Sequence, residues 1–384
     1  MPPIYLDNAA STRVTDDVLA LMTEVMRTAW GNPSSAHPQG AAARAYLAVA
    51  RTRLLGALGD PKGTRGDLVW TSGCSEADAL AVLGAAHGKP GPIVVSSIEH
   101  PAVTATAARG RRGAEGRNSV VEVAPRPGAG AVIDPDDVAK AVADHGANVV
   151  AIVMVQNDLG VVQPIREIAA AIRAAAPRCH IHVDAAQALG KLPVDVTVLD
   201  VDSIALAGHK LGGPKGVGAL WLRAGAVVEP LWVGGGHQGG LRGGTQDAPG
   251  AAGMGLAAEQ AVQRMSTARM RWLELAGLVM DRLAGLAQKL VPDQRRSPHI
   301  LALGIAGVSA GALRNVLASR GVYISTGSAC AAGHDSKPSP VLAAIDLPDT
   351  SGMCRLSFAH DTTTEEVTEA TAILADVIRE LRKG

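Results

Sequence analysis

Residues 181–187 read Ile-His-Val-Asp184-Ala-Ala-Gln187, residues 207–210 read Ala-Gly-His209-Lys210, and residues 212–218 read Gly-Gly-Pro-Lys-Gly-Val-Gly. An acid closes one apolar run, and 26 residues on, from 184 to 210, a lysine stands after a second run. A pyridoxal phosphate site needs that pair of groups. The lysine amine can condense with the cofactor aldehyde, and the acid can keep the pyridine nitrogen protonated so that the ring accepts electrons. Each residue also has an ordinary reading: acids after strands cap helices, and most lysines are simply solvated. A merely solvated lysine is less expected where a buried-looking strand meets a Gly-rich turn. Gln187, one helical turn past Asp184, is placed to bond the cofactor phenolate or only to start a helix.

Around this stretch, from about 66 to 223, short β-branched runs alternate with Ala-rich helical stretches. Seven strands are predicted, at 68–71, 93–97, 119–123, 149–155, 180–183, 202–206 and 218–222. Several are continuous apolar runs, as strands covered on both faces require. Helices are predicted at 75–87, 135–145 and 164–176. The alternation predicts an α/β domain with a mostly parallel sheet, whose ligands sit beyond the carboxyl ends of the strands. The polar groups of interest fall there: Ser72-Gly73, Glu99-His100, Gln156-Asn157, Asp184 and His209-Lys210. Residues 250–290 read as one long helix. Strands at 300–305, 322–325 and 354–358 and a helix at 309–320 then make a smaller α+β unit. The last helix opens at Thr362 and Thr363 with Glu365 and Glu366 three residues on, a capping-box pattern.

Basic and acidic residues balance at 36 each, and no basic tract invites nucleic acid by charge. Apolar runs are interrupted well short of a membrane span, and the opening Met-Pro-Pro-Ile-Tyr-Leu-Asp does not read as a signal peptide. The four cysteines, Cys74, Cys179, Cys330 and Cys354, form no Cys-x-x-Cys or zinc spacing. No metal, no disulfide framework and a reducing cytoplasm are therefore expected.

Further groups carry chemistry. Ser72-Gly73-Cys74-Ser75-Glu76 joins a strand to a helix, where backbone N–H groups suit a phosphate; any strand-to-helix turn looks similar. His100 precedes Pro101 and could stack on a pyridine ring and move protons, or serve as a structural hydrogen-bonder. Cys330 lies in Ser325-Thr-Gly-Ser-Ala-Cys-Ala-Ala-Gly333, among small residues. That setting favours an accessible thiol over a packed one. The Gly-, Ser- and Pro-rich segment beyond it predicts a mobile loop. Arg355 opens the next strand, where it could clamp a carboxylate or form an ordinary ion pair.

Taken together the chain resembles the cysteine desulfurases of the class V aminotransferase fold. The ordered matches are Tyr-Leu-Asp-Asn-Ala-Ala-Ser-Thr (5–12), Gly-Asn-Pro-Ser-Ser-Ala-His (31–37), Thr-Ser-Gly-Cys-Ser-Glu-Ala (71–77), Ile-Glu-His-Pro-Ala-Val (98–103) and Gln-Asn-Asp-Leu-Gly (156–160). They continue through Val-Asp-Ala-Ala-Gln (183–187), Gly-His-Lys (208–210), Arg-Gly-Gly-Thr (242–245) and Ser-Thr-Gly-Ser-Ala-Cys (325–330). The resemblance implies the aspartate aminotransferase-like fold of PLP-dependent transferases. Its large domain would span 14–262, and a small domain from 1–13 and 263–384 would carry the catalytic cysteine. It implies that Lys210 binds the cofactor and moves the Cα proton, and that His100 stacks on the ring as acid and base. It pairs Asp184 with the ring nitrogen and Gln187 with the phenolic oxygen. It gives Gly73, Cys74, Ser75 and His209 to the phosphate, and Thr245 to the phosphate of a neighbouring subunit, hence a homodimer. Asn32, Asn157 and Arg355 would hold the carboxylate of L-cysteine. Cys330 would take the sulfur as a persulfide, leave alanine, and pass the sulfur to an acceptor protein. Iron–sulfur assembly, nucleic-acid thiolation, DNA phosphorothioation and sulfur-metabolite synthesis are the destinations it implies.

The chain departs from the pattern. Ala207 stands where Ser is usual, Ser75 where Thr is usual, Gln238-Gly239 where Glu-Arg is usual and Gly243 for Ser. It also ends at Gly384, without the C-terminal extension by which some members dock an iron–sulfur scaffold. One rival reading is another activity of the same fold, a transaminase, selenocysteine lyase or C–S lyase, in which Cys330 would be dispensable. A second is a non-enzymatic scaffold, which intact Lys210, Asp184, His100 and Cys330 oppose.

Overall fold

The structure, a computed structural model, describes residues 3–110, 119–327, 341 and 351–383. Cys330 lies outside the described residues.

The chain begins with a short strand, β1 (Ile4–Tyr5), and two helices, α1 (Asp16–Thr28) and α2 (Pro38–Ala57). Strands and helices then alternate: β2 (Gly66–Thr71), α3 (Cys74–Ala86), β3 (Ile93–Ser96), α4 (Pro101–Gly110), β4 (Val120–Val123), α5 (Pro135–His145), β5 (Val149–Val153), α6 (Ile165–Ala175) and β6 (His180–Asp184). Next come β7 (Ser203–Ala207) and β8 (Gly218–Arg223). These seven strands from β2 to β8 form one sheet in the order β2-β8-β7-β6-β5-β3-β4. Only β8 runs against its neighbours; the others are parallel, as the alternating pattern predicts.

Side chains alternate across this sheet with the period of two that pleating imposes. On one face Leu68, Trp70, Val94, Val150, Ile152, Ile181, Val183, Ile204 and Trp221 join residues of α1, α2, α5 and α6 in one core. On the other face Val69, Ile93, Val95, Val149, Ala151, Ala205 and Leu220 meet α3 and α4 in a second. Both faces are covered, so the strands are largely apolar on both sides. Each buried Val, Ile or Leu contributes roughly 1.5–3 kcal/mol, offset by chain entropy. The outer edge of β2 is finished by Gln238, a non-glycine residue at φ +51°. Its side chain accepts from the Trp70 N–H at 2.6 Å and donates to the Trp70 carbonyl at 3.0 Å. Only an amide can do both; the Glu expected here could not donate. The substitution therefore closes an exposed sheet edge.

The predicted single helix over 250–290 is two helices, α7 (Ala248–Gln263) and α8 (Met265–Arg282). The break falls at Arg264, which has φ −93° and ψ 2°. The two halves serve different cores. Ala251, Met254 and Ala258 face the large sheet's core, whereas Trp272, Leu275 and Val279 enter a third cluster with Ile4 and Leu6. A straight helix could not face both. That third cluster is built on β9 (Gln288–Lys289), β10 (Ile300–Ala306), α9 (Ala310–Ser319), β11 (Val322–Tyr323), β12 (Ser351–Ser357) and α10 (Thr364–Leu381). β10 pairs antiparallel with β9 and β12, and β1 pairs parallel with β11. Arg355 falls in the middle of β12, not at its start, and exchanges both backbone bonds with Ser325. The predicted capping box forms: the Glu366 N–H donates to Thr363 Oγ1 at 3.1 Å, and the Thr363 N–H to Glu366 Oε2 at 2.8 Å. Among the described residues no helix is long and apolar enough to cross a membrane.

Candidate active site

A cavity of about 610 Å³ opens beyond the carboxyl ends of the parallel strands. Its floor is Asp184, the last residue of β6, buried because the apolar run before it is held between β5 and β7. The Ala186 N–H donates to Asp184 Oδ1 at 2.9 Å, and the Cys74 thiol lies 3.5 Å from the same oxygen. Opposite, β7 ends at Ala207 and a single tight turn, 208–210, turns Lys210 into the cavity. That turn is stitched to the N-terminal segment: Thr12 Oγ1 donates to the His209 carbonyl at 2.8 Å and accepts from Gly212 at 2.8 Å. The Lys210 amine donates to the Ala9 carbonyl and, at 3.0 Å, to that of Ala10.

Burial, with the Arg355 charge next in weight, lowers the Lys210 amine to about 8. At pH 7 about a tenth of it is then neutral, against well under roughly one part in a thousand for a solvated lysine. Only the neutral amine attacks an aldehyde. Reloading of cofactor-stripped protein should therefore quicken about tenfold per pH unit below 8 and level off above it, in stopped-flow absorbance. A flat profile from pH 6 to about 9 would contradict the amine's role. His209 is held near 4, chiefly by burial, so it offers a neutral ring; its Nδ1 lies 3.2 Å from Ser11 Oγ.

α3 starts in the cavity wall. Its N-cap is Gly73, which supplies no capping side chain. Gly73, Cys74 and Ser75 line the cavity, so the positive end of a 13-residue helix faces it. Ser75 is inside the helix rather than its cap. The chemistry of these donors fits pyridoxal phosphate: an anion site at one end, an acid for the ring nitrogen and an amine for the aldehyde. His100 lines the same cavity. Its Nδ1 accepts from the Ala102 N–H at 3.1 Å, which leaves Nε2 to carry the proton of a neutral ring. Gln187 is buried, donating to the Ala9 carbonyl at 2.8 Å, with Oε1 3.4 Å from His299 Nε2.

Asn157 and Arg355 lie at the cavity's other side. Arg355 is only 4% exposed, and its guanidinium already has partners. Nη2 donates to Asp7 Oδ1 at 2.6 Å, and Nη1 to the Asn157 carbonyl at 2.7 Å and Asp158 Oδ1 at 3.3 Å. Two predicted residues are not brought into the cavity by this chain. Asn32 is exposed and its Oδ1 accepts from Ser34 at 2.9 Å; Thr245 is exposed on the loop before α7.

Beneath Asp184 lies a buried polar row that no sequence motif announces. Asp78 Oδ1 is 3.1 Å from His182 Nε2, and Ser203 Oγ bridges His182 Nδ1 and His180 Nε2, at 2.8 Å each. Burial raises the Asp78 carboxyl and lowers His182 to about 3, so both are neutral. Cys74, Asp78 and Asp184 are also close enough to share a metal, their ligand atoms within 4.8 Å of one another. Burial pushes the Cys74 thiol and the Asp78 carboxyl well above their ordinary values, which favours protons over a cation on those two groups. Asp7 and Asp158 carried a signal: each stands inside a quoted motif, Asp7 after an apolar run as Asp184 does.

The aminotransferase class-V family profile matches residues 4–369. A cysteine desulfurase of Rhodobacter capsulatus is 37% identical over 393 aligned residues, covering 99% of this chain and 98% of the relative. A cysteine desulfurase IscS of Methanosarcina thermophila is 32% identical, covering 99% and 93%. Among solved structures, a NifS-like protein superposes with a TM-score of 0.89 at 30% identity, covering 98% of this chain and all of that one. SspA, solved in complex with cysteine, superposes at 0.78 with 30% identity, covering 92% and 98%.

Proposed function

Since this chain belongs to the class-V aminotransferase family and, within it, to the cysteine desulfurases, we propose that it moves the sulfur of L-cysteine onto Cys330 and releases L-alanine. Its cofactor is pyridoxal 5'-phosphate, which supplies an electron sink for the negative charge left on carbon when sulfur departs. The observation that carries the reading is one cavity that gathers the Lys210 amine, the Asp184 carboxylate, His100 and the uncapped start of α3.

The protein's own groups divide the work. Asp184 holds a proton at the ring nitrogen, and Gln187 bonds the phenolic oxygen. The N–H groups of Gly73, Cys74 and Ser75, the Ser75 hydroxyl and the neutral His209 hold the phosphate. Lys210 would hold the aldehyde carbon of the bound cofactor, and its amine would take the proton from the substrate Cα. His100 covers the ring and offers its Nε2 proton. Asn157 and Arg355 hold the substrate carboxylate. Asn32 shares that task, and exposed Thr245 reaches the phosphate site of a second copy, so the working unit is a homodimer. Cys330, as thiolate, attacks the substrate sulfur; the carbon–sulfur bond breaks as the sulfur–sulfur bond forms. An acceptor protein then removes the outer sulfur.

Cys330 is favoured over the other thiols by burial. Cys179 and Cys354 are buried and pushed up to about 12, and Cys74 is raised too; such thiols are poor nucleophiles. Incubation with L-cysteine tests the reading. Alanine and protein-bound sulfur should appear in equal amounts in the first turnover. A keto acid with no bound sulfur would mean transamination and overturn it.

A further inference from the structure

Arg355 faces two carboxylates before any substrate arrives. Asp7 holds Nη2 at 2.6 Å, and Asp158 together with the Asn157 carbonyl holds Nη1. Among the described residues Nε is buried with no hydrogen-bond partner, as is the Thr326 hydroxyl. Nε and Nη2 form one edge of the guanidinium, the edge that a carboxylate takes in a two-point contact. That edge is now closed by Asp7, while half of it goes unused. An incoming carboxylate would meet a charge already balanced and must displace one acid to make both bonds.

We propose that Asp7 is a specificity-determining group that competes with the substrate's carboxylate for Arg355 and so sets how much cysteine fills the site. The proposal deepens the reading of Arg355 as the carboxylate clamp and rests on it. Asp7 is the acid able to yield. Among the described residues its carboxylate makes a single hydrogen bond, the one to Arg355, and its side chain is 23% exposed. Asp158 is 16% exposed, and its loop is tied down by the Asp158 and Leu159 N–H groups, which donate to Gln156 Oε1 at 2.8 and 2.7 Å. Both acids line the cavity. When Asp7 turns to solvent, the substrate gains Nη2 and the unpaired Nε together. Ligands without a carboxylate cannot displace Asp7, so the exchange selects for amino acids over simple amines.

The test is affinity on the intact holoenzyme, with the product L-alanine, which has no sulfur to transfer, as the probe and KM for L-cysteine beside it. Asp7→Asn, which keeps the shape and removes the charge, should tighten alanine about fivefold to tenfold and lower KM by more than kcat changes. Asp7→Ser should act in the same direction, which guards against a fault peculiar to one variant. If Asp7 only orients Arg355, both variants weaken alanine or leave it unchanged, and the proposal falls. Arg355→Gln separates the competition from the clamp it rests on. It should weaken alanine at least about tenfold and erase the effect of Asp7→Asn in the double variant. If Arg355→Gln leaves alanine binding intact, the carboxylate clamp itself is misassigned.

Discussion

Lys210→Ala should abolish turnover of cysteine, a loss of at least about 10⁴-fold, and leave the protein with no covalently held cofactor. The effect is chemical rather than structural. The turn that carries Lys210 is fixed by its backbone: its carbonyl accepts from Lys191 Nζ at 2.5 Å, and Thr12 ties down the residues on either side. Among the described residues the side chain itself bonds the Ala9 and Ala10 carbonyls alone. Removing it spares the cores, so the variant should fold and still bind the cofactor reversibly through Asp184 and the start of α3. Absorbance after exhaustive dialysis, with and without prior borohydride, reads the outcome. Turnover within tenfold of the parent would remove Lys210 from the mechanism.

Cys330→Ser has an equally large expected effect on a different step. The variant should retain cofactor and answer L-cysteine with the same absorbance change, yet release sulfide with dithiothreitol at least about 10³-fold more slowly. No described thiol can substitute. Cys74 lies against Asp184 with its thiol proton retained, and Cys179 and Cys354 are buried in the cores. The contrast is diagnostic: Lys210→Ala loses the first spectral change, whereas Cys330→Ser keeps that change and loses only the later transfer of sulfur. An unchanged rate in Cys330→Ser would favour a lyase that expels sulfide directly.

The sheet and the cofactor cavity were legible in the sequence because their signals are local. Continuous apolar runs such as 149–153 fit only strands covered on both faces, and each polar group at a run's end is carried to the same edge of a parallel sheet. Asp184 and Lys210 could be read together for that reason. The break at Arg264 was not legible, since composition is alike on both sides and only the two cores distinguish them. Nor was the Asp7–Arg355 bridge, whose partners are 348 residues apart in the chain. The Gln238 departure was visible in the sequence, but that it completes a sheet edge shows only in three dimensions. Asn32 and Thr245 lie away from this chain's cavity, where a second copy would have to bring them into use.

The sulfur of cysteine is proposed to leave onto one named thiol. That claim is tested most directly by mixing the holoenzyme with one equivalent of L-cysteine, alkylating under acid-quenched conditions and mapping the peptides by mass. The predicted result is the mass of one added sulfur atom on the peptide bearing Cys330, with alanine formed in equal amount. Alanine formed with no added sulfur on that peptide, or sulfur found on Cys74, Cys179 or Cys354 instead, would contradict it.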